Sequence, residues 1–153
     1  MTGYRVGVFA GGPSSEREIS LRSGKAVHNA LLHEGIDAFF VDVRDNIYDI
    51  IKSEHMDVVF LALHGRFGED GTIQDILDSA GLRYTGSGPE ASKLALDKIA
   101  SKEIFIKNGI PTPKYLVIDQ HAHLRGVHVN STRHLGGGHG GQPQNTLESV
   151  SHS

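Results

Sequence analysis

Three apolar runs of strand length alternate with segments of helical pattern, and this alternation limits what the chain can fold into more than any other feature. The runs are YRVGVFA (4–10), AFFVDV (38–43) and DVVFLAL (57–63). The third is apolar almost throughout, as expected of a parallel strand covered on both faces. Helical patterns lie at 19–35, 46–54, 71–81 and 89–109. This order predicts an α/β fold, a Rossmann-like open parallel sheet with helices on both faces.

Finer predictions concern how these elements begin and end. The helix at 19–35 stops at Gly35, which suits a C-terminal cap. Pro89 suits the first turn of the helical stretch 89–109. Residues 82–88 predict a short extended piece with a turn, and KYLVI (114–118) predicts the start of another strand. The apolar side of the first helix is expected to hold Leu21, Ala26, Val27, Ala30 and Leu31.

The composition changes near residue 119. Residues 120–153 contain no lysine, aromatic residue or isoleucine, and neither strand nor helix periodicity runs through them. Such a segment buries too little apolar surface to offset its ordering entropy, so we expect a disordered tail. It holds six of the ten histidines, and imidazole binds several metals. Their spacing offers no completed ligand set, and we expect no metal site in this chain.

Bulk properties exclude several classes of protein. The chain has 153 residues, a length suited to one domain with a real core. Its formal net charge of −3 gives no basic footprint for nucleic acid or an anionic membrane. The absence of cysteine excludes disulfides and thiolate metal sites. The N-terminus lacks an apolar stretch long enough for a signal peptide or membrane span. We therefore expect a cytoplasmic protein.

Polar, glycine-rich stretches follow the apolar runs, and ligands of open parallel sheets bind at the carboxyl ends of strands. In GGPSSEREIS (11–20), Ser15 with Glu18 fits a capping box, and Arg17 would be a solvated partner. Glu16 has no part in this capping box. It lies at the helix start, where a carboxylate either interacts favourably with the helix dipole or binds a ligand.

The other two polar stretches are LHGRFGEDG (63–71) and YTGSGPEAS (84–92). His64 directly ends a strand. It is either a hydrogen-bonded structural residue or a group that orients a neighbour or donates to an anion. Lys98, on the following helix, is a solvated residue by default. The chain contains neither a Walker phosphate loop nor a nucleophile elbow nor G-x-G-x-x-G. The residues themselves predict a Rossmann-like half-domain with a small-ligand site at its strand ends.

Three stretches, in order and at their separations, resemble one family. GVFAGGPSSEREISLRSG, FLALHGRFGEDGTIQDILDSAGLRYTGSG and LALDKIASKEIFIKNGIPTP closely resemble the N-terminal domain of D-alanine–D-alanine ligases, members of the ATP-grasp superfamily. The match spans about residues 4–118. The resemblance implies a pre-ATP-grasp domain at 1–113, the start of the central domain at 114–119, and a tail foreign to the family at 120–153.

The resemblance also implies site residues. Glu16 matches the glutamate that binds the ammonium of the first D-alanine, and so orients that substrate. His64 matches a histidine beside the same site, and Gly12 and Ser15 belong to the same substrate-binding loop. Lys98 matches a lysine on the nucleotide side.

In the family, ATP and Mg²⁺ (or Mn²⁺) support phosphorylation of one D-alanine, and a second D-alanine attacks the acyl phosphate to give the dipeptide used for peptidoglycan. The domains that hold ATP and the metal have no counterpart in this sequence. We expect a truncated or frameshifted reading frame and no turnover by this chain alone. The family's ligases are commonly homodimers.

Two alternatives remain from the sequence. One is a stand-alone, non-catalytic α/β module that binds an amino acid. The other is a non-functional fragment with an exposed apolar patch. Amino-acid binding without ATP turnover distinguishes the module from the ligase, whereas poor solubility without binding favours the fragment.

Overall fold

In the part of the chain that the structure describes, four parallel strands form one sheet in the order β2-β1-β3-β4. The computed structural model describes residues 3–44 and 47–117. The strands are β1 (Val6–Gly11), β2 (Ala38–Val43), β3 (Val58–Leu61) and β4 (Arg83–Tyr84). The helices are α1 (Arg17–His33), α2 (Ile47–Ser53), α3 (Thr72–Ser79), α4 (Pro89–Leu96) and α5 (Lys98–Lys107). The predicted α/β class and parallel sheet are confirmed.

Side chains of successive strand residues enter two different cores, one on each face of the sheet. Val6 and Val8 pack with half-buried Val27 and Leu31 of α1. Phe9 points to the other face, where the core includes residues of α2 and α3. The buried members there are Phe9, Val41, Val43, Ile47, Met56, Val59, Leu63, Ile73 and Leu77. Helices therefore cover both faces, as the apolar runs predict.

The buried side of α1 differs from the one predicted. Leu21, Val27 and Leu31 are partly buried, but Ala26 and Ala30 are exposed, and the fully buried positions are Ser20 and Gly24. The Ser20 hydroxyl donates to the carbonyl of Ala62 at 2.7 Å and accepts the N–H of Gly11 at 2.8 Å. A Cβ at Gly24 would lie 2.4 Å from that of Ala10. A polar bridge and a close backbone approach thus fix α1 against the sheet.

The end of α1 follows the prediction. Gly35 has a positive φ of 72°. Its N–H donates to the carbonyl of Leu32, and the N–H of Ile36 donates to that of Leu31, each at 3.0 Å. This pair of bonds is a Schellman motif, which glycine favours because it adopts left-handed conformations without a Cβ penalty.

The single helix predicted over 89–109 is wrong, because the chain breaks at Asp97. Asp97 has an extended conformation, with φ −80° and ψ 101°. Its Oδ1 accepts the N–H groups of Ile99 and Ala100 at 2.9 and 3.0 Å. A side chain that satisfies the free amides of a new helix start favours a break there. Pro89 does lie at the first turn of α4, as predicted.

The chain divides into two compact units between Ser101 and Lys102. In the second unit, Lys102 Nζ donates to Thr112 Oγ1 at 3.0 Å and to the carbonyl of Pro113 at 3.1 Å. Of the strand predicted at 114–118, Leu116 forms a single bridge and Ile118 lies outside the described residues. The predicted tail at 120–153 also lies outside them. The domain boundaries at 113 and 119 stay predictions.

Candidate functional site

The loops that follow β1 and β3 lie side by side at the carboxyl end of the sheet. The two strands are parallel neighbours, with Phe9 opposite Leu61. The Ser14 hydroxyl donates to the carbonyl of His64 at 2.7 Å and accepts the N–H of Glu16 at 3.1 Å. Ser14 therefore joins the two loops, two residues before Glu16.

Glu16 occupies the N-cap position of α1 and makes no side-chain capping bond. The predicted capping box of Ser15 and Glu18 is therefore wrong, because the helix begins one residue later and Ser14 supplies the local side-chain hydrogen bonds. The Glu16 carboxylate lies against Gly65, where an added Cβ would be 2.5 Å from Oε2. Gly65 also has a positive φ of 69°, so this position suits glycine on two counts.

Glu16 lines an open cleft of about 940 Å³. Its walls come from the β1 loop, the β3 loop and α4 with Asp97: Pro13, Ser14, Ser15, Glu16, Gly65, Arg66, Asp70, Lys93, Leu96 and Asp97. Three carboxylates and two cations border this space, so it presents both charges that a zwitterionic amino acid requires. A volume of this size is ample for a small polar molecule.

Asp70 shapes the β3 loop. Its Oδ2 accepts the N–H of Phe67 at 2.9 Å and its Oδ1 that of Thr72 at 3.0 Å. Burial raises the pKa of Asp70, but hydrogen bonds from Phe67 and Thr72 outweigh burial and leave the pKa below its usual value. The carboxylate is therefore ionised and committed largely to holding the turn before α3.

Arg17 is not the solvated partner that the sequence predicts. Its Nη2 donates to both oxygens of Asp42 at 2.7 Å, and Nη1 reaches the carbonyl of Gly12 at 3.3 Å. Burial raises the pKa of Asp42, but hydrogen bonds from Arg17 and Arg44 lower it further than burial raises it. The ion pair anchors the start of α1 to the end of β2, next to the Glu16 loop.

His64 lies in a second cleft of about 530 Å³ and not among the residues that line the first. Its Nε2 is 3.3 Å from Ser23 Oγ, and its Nδ1 is 3.8 Å from Glu69 Oε1. The imidazole is 34% exposed. His64 reaches the Glu16 loop through its own carbonyl, which accepts the Ser14 hydroxyl.

Gln74 is a buried polar group beside this second cleft. It is 5% exposed, and its Nε2 donates to the carbonyl of Gly68 at 2.8 Å. Its Oε1 has no hydrogen-bond partner among the described residues.

Known proteins are similar to this chain in sequence and in fold. The family model "D-ala D-ala ligase N-terminus" matches residues 43–87. The D-alanine–D-alanine ligase of Bordetella petrii is 50% identical over 123 residues, covering 80% of this chain and 38% of that protein. The ligase of Carboxydothermus hydrogenoformans is 50% identical over 112 residues, covering 73% and 36%. The solved D-alanine–D-alanine ligase of Bacillus anthracis superimposes with a TM-score of 0.71 at 34% identity, covering 80% of this chain and 41% of that one.

The chain is therefore similar to the N-terminal part of the D-alanine–D-alanine ligases. A second solved ligase, from Aeromonas hydrophila, gives a TM-score of 0.70 at 30% identity, covering 80% of this chain and 53% of its own. The chain spans less than two fifths of the length of the Bordetella petrii relative. The resemblance noted in the sequence is thus confirmed for the N-terminal domain.

The site residues predicted from the resemblance lie in different places in the structure. Ser15 lines the same cleft as Glu16. Gly12 is buried with φ +78°, and an added Cβ would lie 3.1 Å from Leu63 Cδ2. Lys98 is the exposed first residue of α5 and lines neither of the two clefts described above. Glu16 and Ser15 therefore line the same cleft. His64 lines the second cleft, and its carbonyl accepts the Ser14 hydroxyl.

Sequence reasoning missed the two cations of the first cleft. Arg66 lies in the HGRFGEDG stretch that was already singled out, so its position in the β3 loop was a usable signal. Lys93 lies on α4, and only the fold brings that helix to the Glu16 cleft. Among residues 3–44 and 47–117, no group of three His, Asp or Glu side chains is arranged to hold a metal ion. No helix in the same ranges is long and apolar enough to cross a bilayer.

Proposed function

We propose that this chain supplies the part of a D-alanine–D-alanine ligase that binds and orients the first D-alanine, with Glu16 as the partner of the substrate ammonium. One observation carries the proposal: the Glu16 carboxylate makes no capping bond and borders a cleft beside Gly65. A carboxylate at a cleft edge binds an ammonium ion through charge-assisted hydrogen bonds. The names of the relatives supply the substrate class.

An ammonium held by a carboxylate stays protonated, because a nearby negative charge favours the charged form of an amine. The first amino acid then cannot use its nitrogen as a nucleophile, and its carboxylate is left as the group to be activated. Glu16 would in this way decide which of two identical amino acids becomes the acyl donor. Ser14 would hold the backbone of Glu16, and Ser15 would line the cleft beside it.

The proposed parent reaction joins two D-alanines with ATP, for peptidoglycan precursors and hence cell-wall biogenesis and cell shape, in the cytoplasm and in a homodimeric enzyme. It requires ATP and Mg²⁺ or Mn²⁺, and the relative from Bacillus anthracis has also been solved in complex with ATP. The described residues do not fit the metal, since they contain no group of three suitable ligands. Lys98 stays our proposal for a nucleotide contact. We propose that the chain alone orients substrate and turns over nothing.

The proposal is tested by NMR titration of the full chain with D-alanine, with L-alanine as the stereochemical control. Shifts confined to the Gly12–Glu16 and His64–Gly65 loops, absent with L-alanine and lost in Glu16→Gln, are expected. The Gln variant keeps the size of the side chain and removes only its charge. Equal shifts in the wild type and in Glu16→Gln would overturn the role of Glu16.

A stand-alone binding module is the second candidate, favoured by one observation. Every described residue that lines the Glu16 cleft lies in the first compact unit, Met1–Ser101. Both candidates predict binding, but only a ligase gains activity when the rest of a ligase is supplied. Adding separately expressed central and C-terminal domains of a relative and measuring ADP release distinguishes them: activity that depends on Glu16 supports the ligase part.

A further inference from the structure

The two ring nitrogens of His64 face different partners: a hydroxyl, which can donate or accept, and a carboxylate, which only accepts. Nε2 lies 3.3 Å from the Ser23 hydroxyl, which can donate. Nδ1 lies 3.8 Å from Oε1 of Glu69, an ionised carboxylate that can only accept. The second distance is too long for a hydrogen bond, but it is short enough for the charge of the carboxylate to act on Nδ1.

Both partners are held in place by the fold. The N–H of Gly65 donates to Oε2 of Glu69 at 3.0 Å, and the N–H of Glu69 donates to the carbonyl of Gly65 at 2.9 Å. This reciprocal pair fixes the carboxylate on the side of Nδ1. Ser23 lies on α1, which the buried Ser20 bridges to the ends of β1 and β3. The imidazole therefore sits between two preorganised groups.

A neutral imidazole carries one proton, and these partners decide where it resides. On Nδ1 the proton faces a negative charge, and the free lone pair of Nε2 accepts the Ser23 hydroxyl. The opposite tautomer would turn the Nδ1 lone pair towards the carboxylate, which is repulsive. We propose that Ser23 and Glu69 are positioning residues that hold His64 in its Nδ1–H tautomer.

This inference deepens the proposed function and rests on it for its biological meaning. With Nδ1–H directed at Glu69 and Nε2 engaged by Ser23, His64 offers no N–H to an anionic group of a substrate. Its contribution passes instead through the backbone: its carbonyl holds Ser14, and Ser14 holds the N–H of Glu16. The positioned ring would thus stabilise the backbone of His64, which contacts the Glu16 loop. Arg66 and Lys93 are then the cations left for a carboxylate in the first cleft.

The chain contains a matched internal control. Nε2 of His28 lies 3.1 Å from the carbonyl oxygen of Ala38. A carbonyl only accepts, so His28 must carry its proton on Nε2. The same spectrum should therefore show two half-buried histidines with opposite tautomers, one set by a carbonyl and one by the Ser23–Glu69 pair.

The test is a long-range ¹H–¹⁵N correlation spectrum of the ¹⁵N-labelled full chain, without amino acid, at a pH of about 8.5 where unperturbed imidazole is neutral. Signals are assigned by their loss in His64→Gln and His28→Gln. We expect a protonated Nδ1 in His64 and a protonated Nε2 in His28. Ser23→Ala and Glu69→Gln should each move His64 towards a mixture of tautomers, and Ser23→Thr should restore the wild-type pattern. His28 should not change in any of these variants.

An Nε2–H pattern for His64 in the wild type would overturn the proposal, as would an unchanged pattern in both Ser23→Ala and Glu69→Gln. Amide shift dispersion, recorded on each variant, separates a local change from unfolding. Because no amino acid is present, the result is independent of binding at Glu16. If the tautomers are as stated but D-alanine does not bind, the proposed function fails while the positioning role stands.

Discussion

The sheet-centred region from β1 to α3 and the pair of helices α4 and α5 arise from similar sequence patterns but are stabilised very differently. Helices α1 and α3 place residues in full burial, including Ser20, Gly24, Ile73 and Leu77. Helices α4 and α5 bury none. Leu94, Leu96 and Ile99 are 38–44% exposed. An apolar helical pattern therefore predicts a helix with an apolar side. Whether that side is buried depends on the tertiary packing, which the pattern does not show.

The difference has a physical origin in the order of the elements. Helices α1 to α3 each connect two parallel strands, so each crosses a face of the sheet and packs on it. Helices α4 and α5 follow the edge strand β4, and no described strand brings the chain back. Helix packing against a core supplies most helical stability in proteins. We therefore expect the two regions to respond unequally to equivalent substitutions.

The largest expected effect separates two leucines. Leu77 of α3 is fully buried in the larger core, whereas Leu94 of α4 is 38% exposed. Leu77→Ala should lower the free energy of unfolding by about 2–5 kcal/mol, because it removes buried methyl groups and leaves a cavity. Leu94→Ala should lower it by less than about 1 kcal/mol, because part of its side chain already contacts water. Urea unfolding followed by far-ultraviolet circular dichroism measures both; equal losses would contradict the division into two regions.

A pair of glycines provides the next test. Gly24 lies under α1, where a Cβ would be 2.4 Å from that of Ala10 and 3.0 Å from Phe40. Gly88 precedes α4 with an ordinary φ of −68°, and its Cβ would meet only Tyr84 Oη, at 3.9 Å. Gly24→Ser should destabilise the protein by about 1–3 kcal/mol, because α1 must move away from β1. Gly88→Ser should be neutral or slightly stabilising, since serine favours a helix N-terminus. Thermal unfolding of both variants checks the contrast.

The sequence predicts the sheet well and the details of packing poorly, for reasons that single residues make plain. The apolar runs YRVGVFA and AFFVDV locate β1 and β2, because the residues that a strand buries are close together in the sequence. The buried side of α1 is missed because Ser20 and Gly24 are not apolar, and their burial depends on Ala10 and Ala62 of other segments.

The candidate site shows the same limit. The position of Glu16 follows from the local pattern of strand, turn and helix, although its role stays a prediction. The cation Lys93 enters the cleft only through the packing of α4, which no local pattern encodes. The break at Asp97 is missed because the helical period continues across it. Local signals thus locate the loop, and tertiary contacts decide what surrounds it.

The cap at Asp97 offers a smaller effect confined to the exposed helices. Its Oδ1 accepts the N–H groups of Ile99 and Ala100. Asp97→Ala should weaken the start of α5 by about 1 kcal/mol, and Asp97→Asn should largely preserve it, since both aspartate and asparagine cap helices. Hydrogen exchange of the Ile99 and Ala100 amides measures the change. Protection in the sheet amides should stay the same; a uniform loss across the chain would mean that α4 and α5 are coupled to the core more tightly than their burial indicates.

The smallest effect is an acid dependence carried by the sheet-centred region. Burial raises the pKa of Asp42, but the hydrogen bonds from Arg17 and Arg44 leave the pKa below its usual value. A folded-state pKa below the unfolded one adds stability that is present above the unfolded value of about 3.9 and is lost as the pH falls through the folded value. The pair should contribute on the order of 1 kcal/mol, since the side chains of Arg17 and Asp42 are 26% and 32% exposed. Arg17→Met keeps the aliphatic stem but removes the charge, so its free energy of unfolding should fall less steeply than that of the wild type below a pH of about 4. Urea unfolding of both proteins from neutral pH into this range decides the point: parallel curves would show that the Arg17–Asp42 pair does not anchor α1 to the sheet.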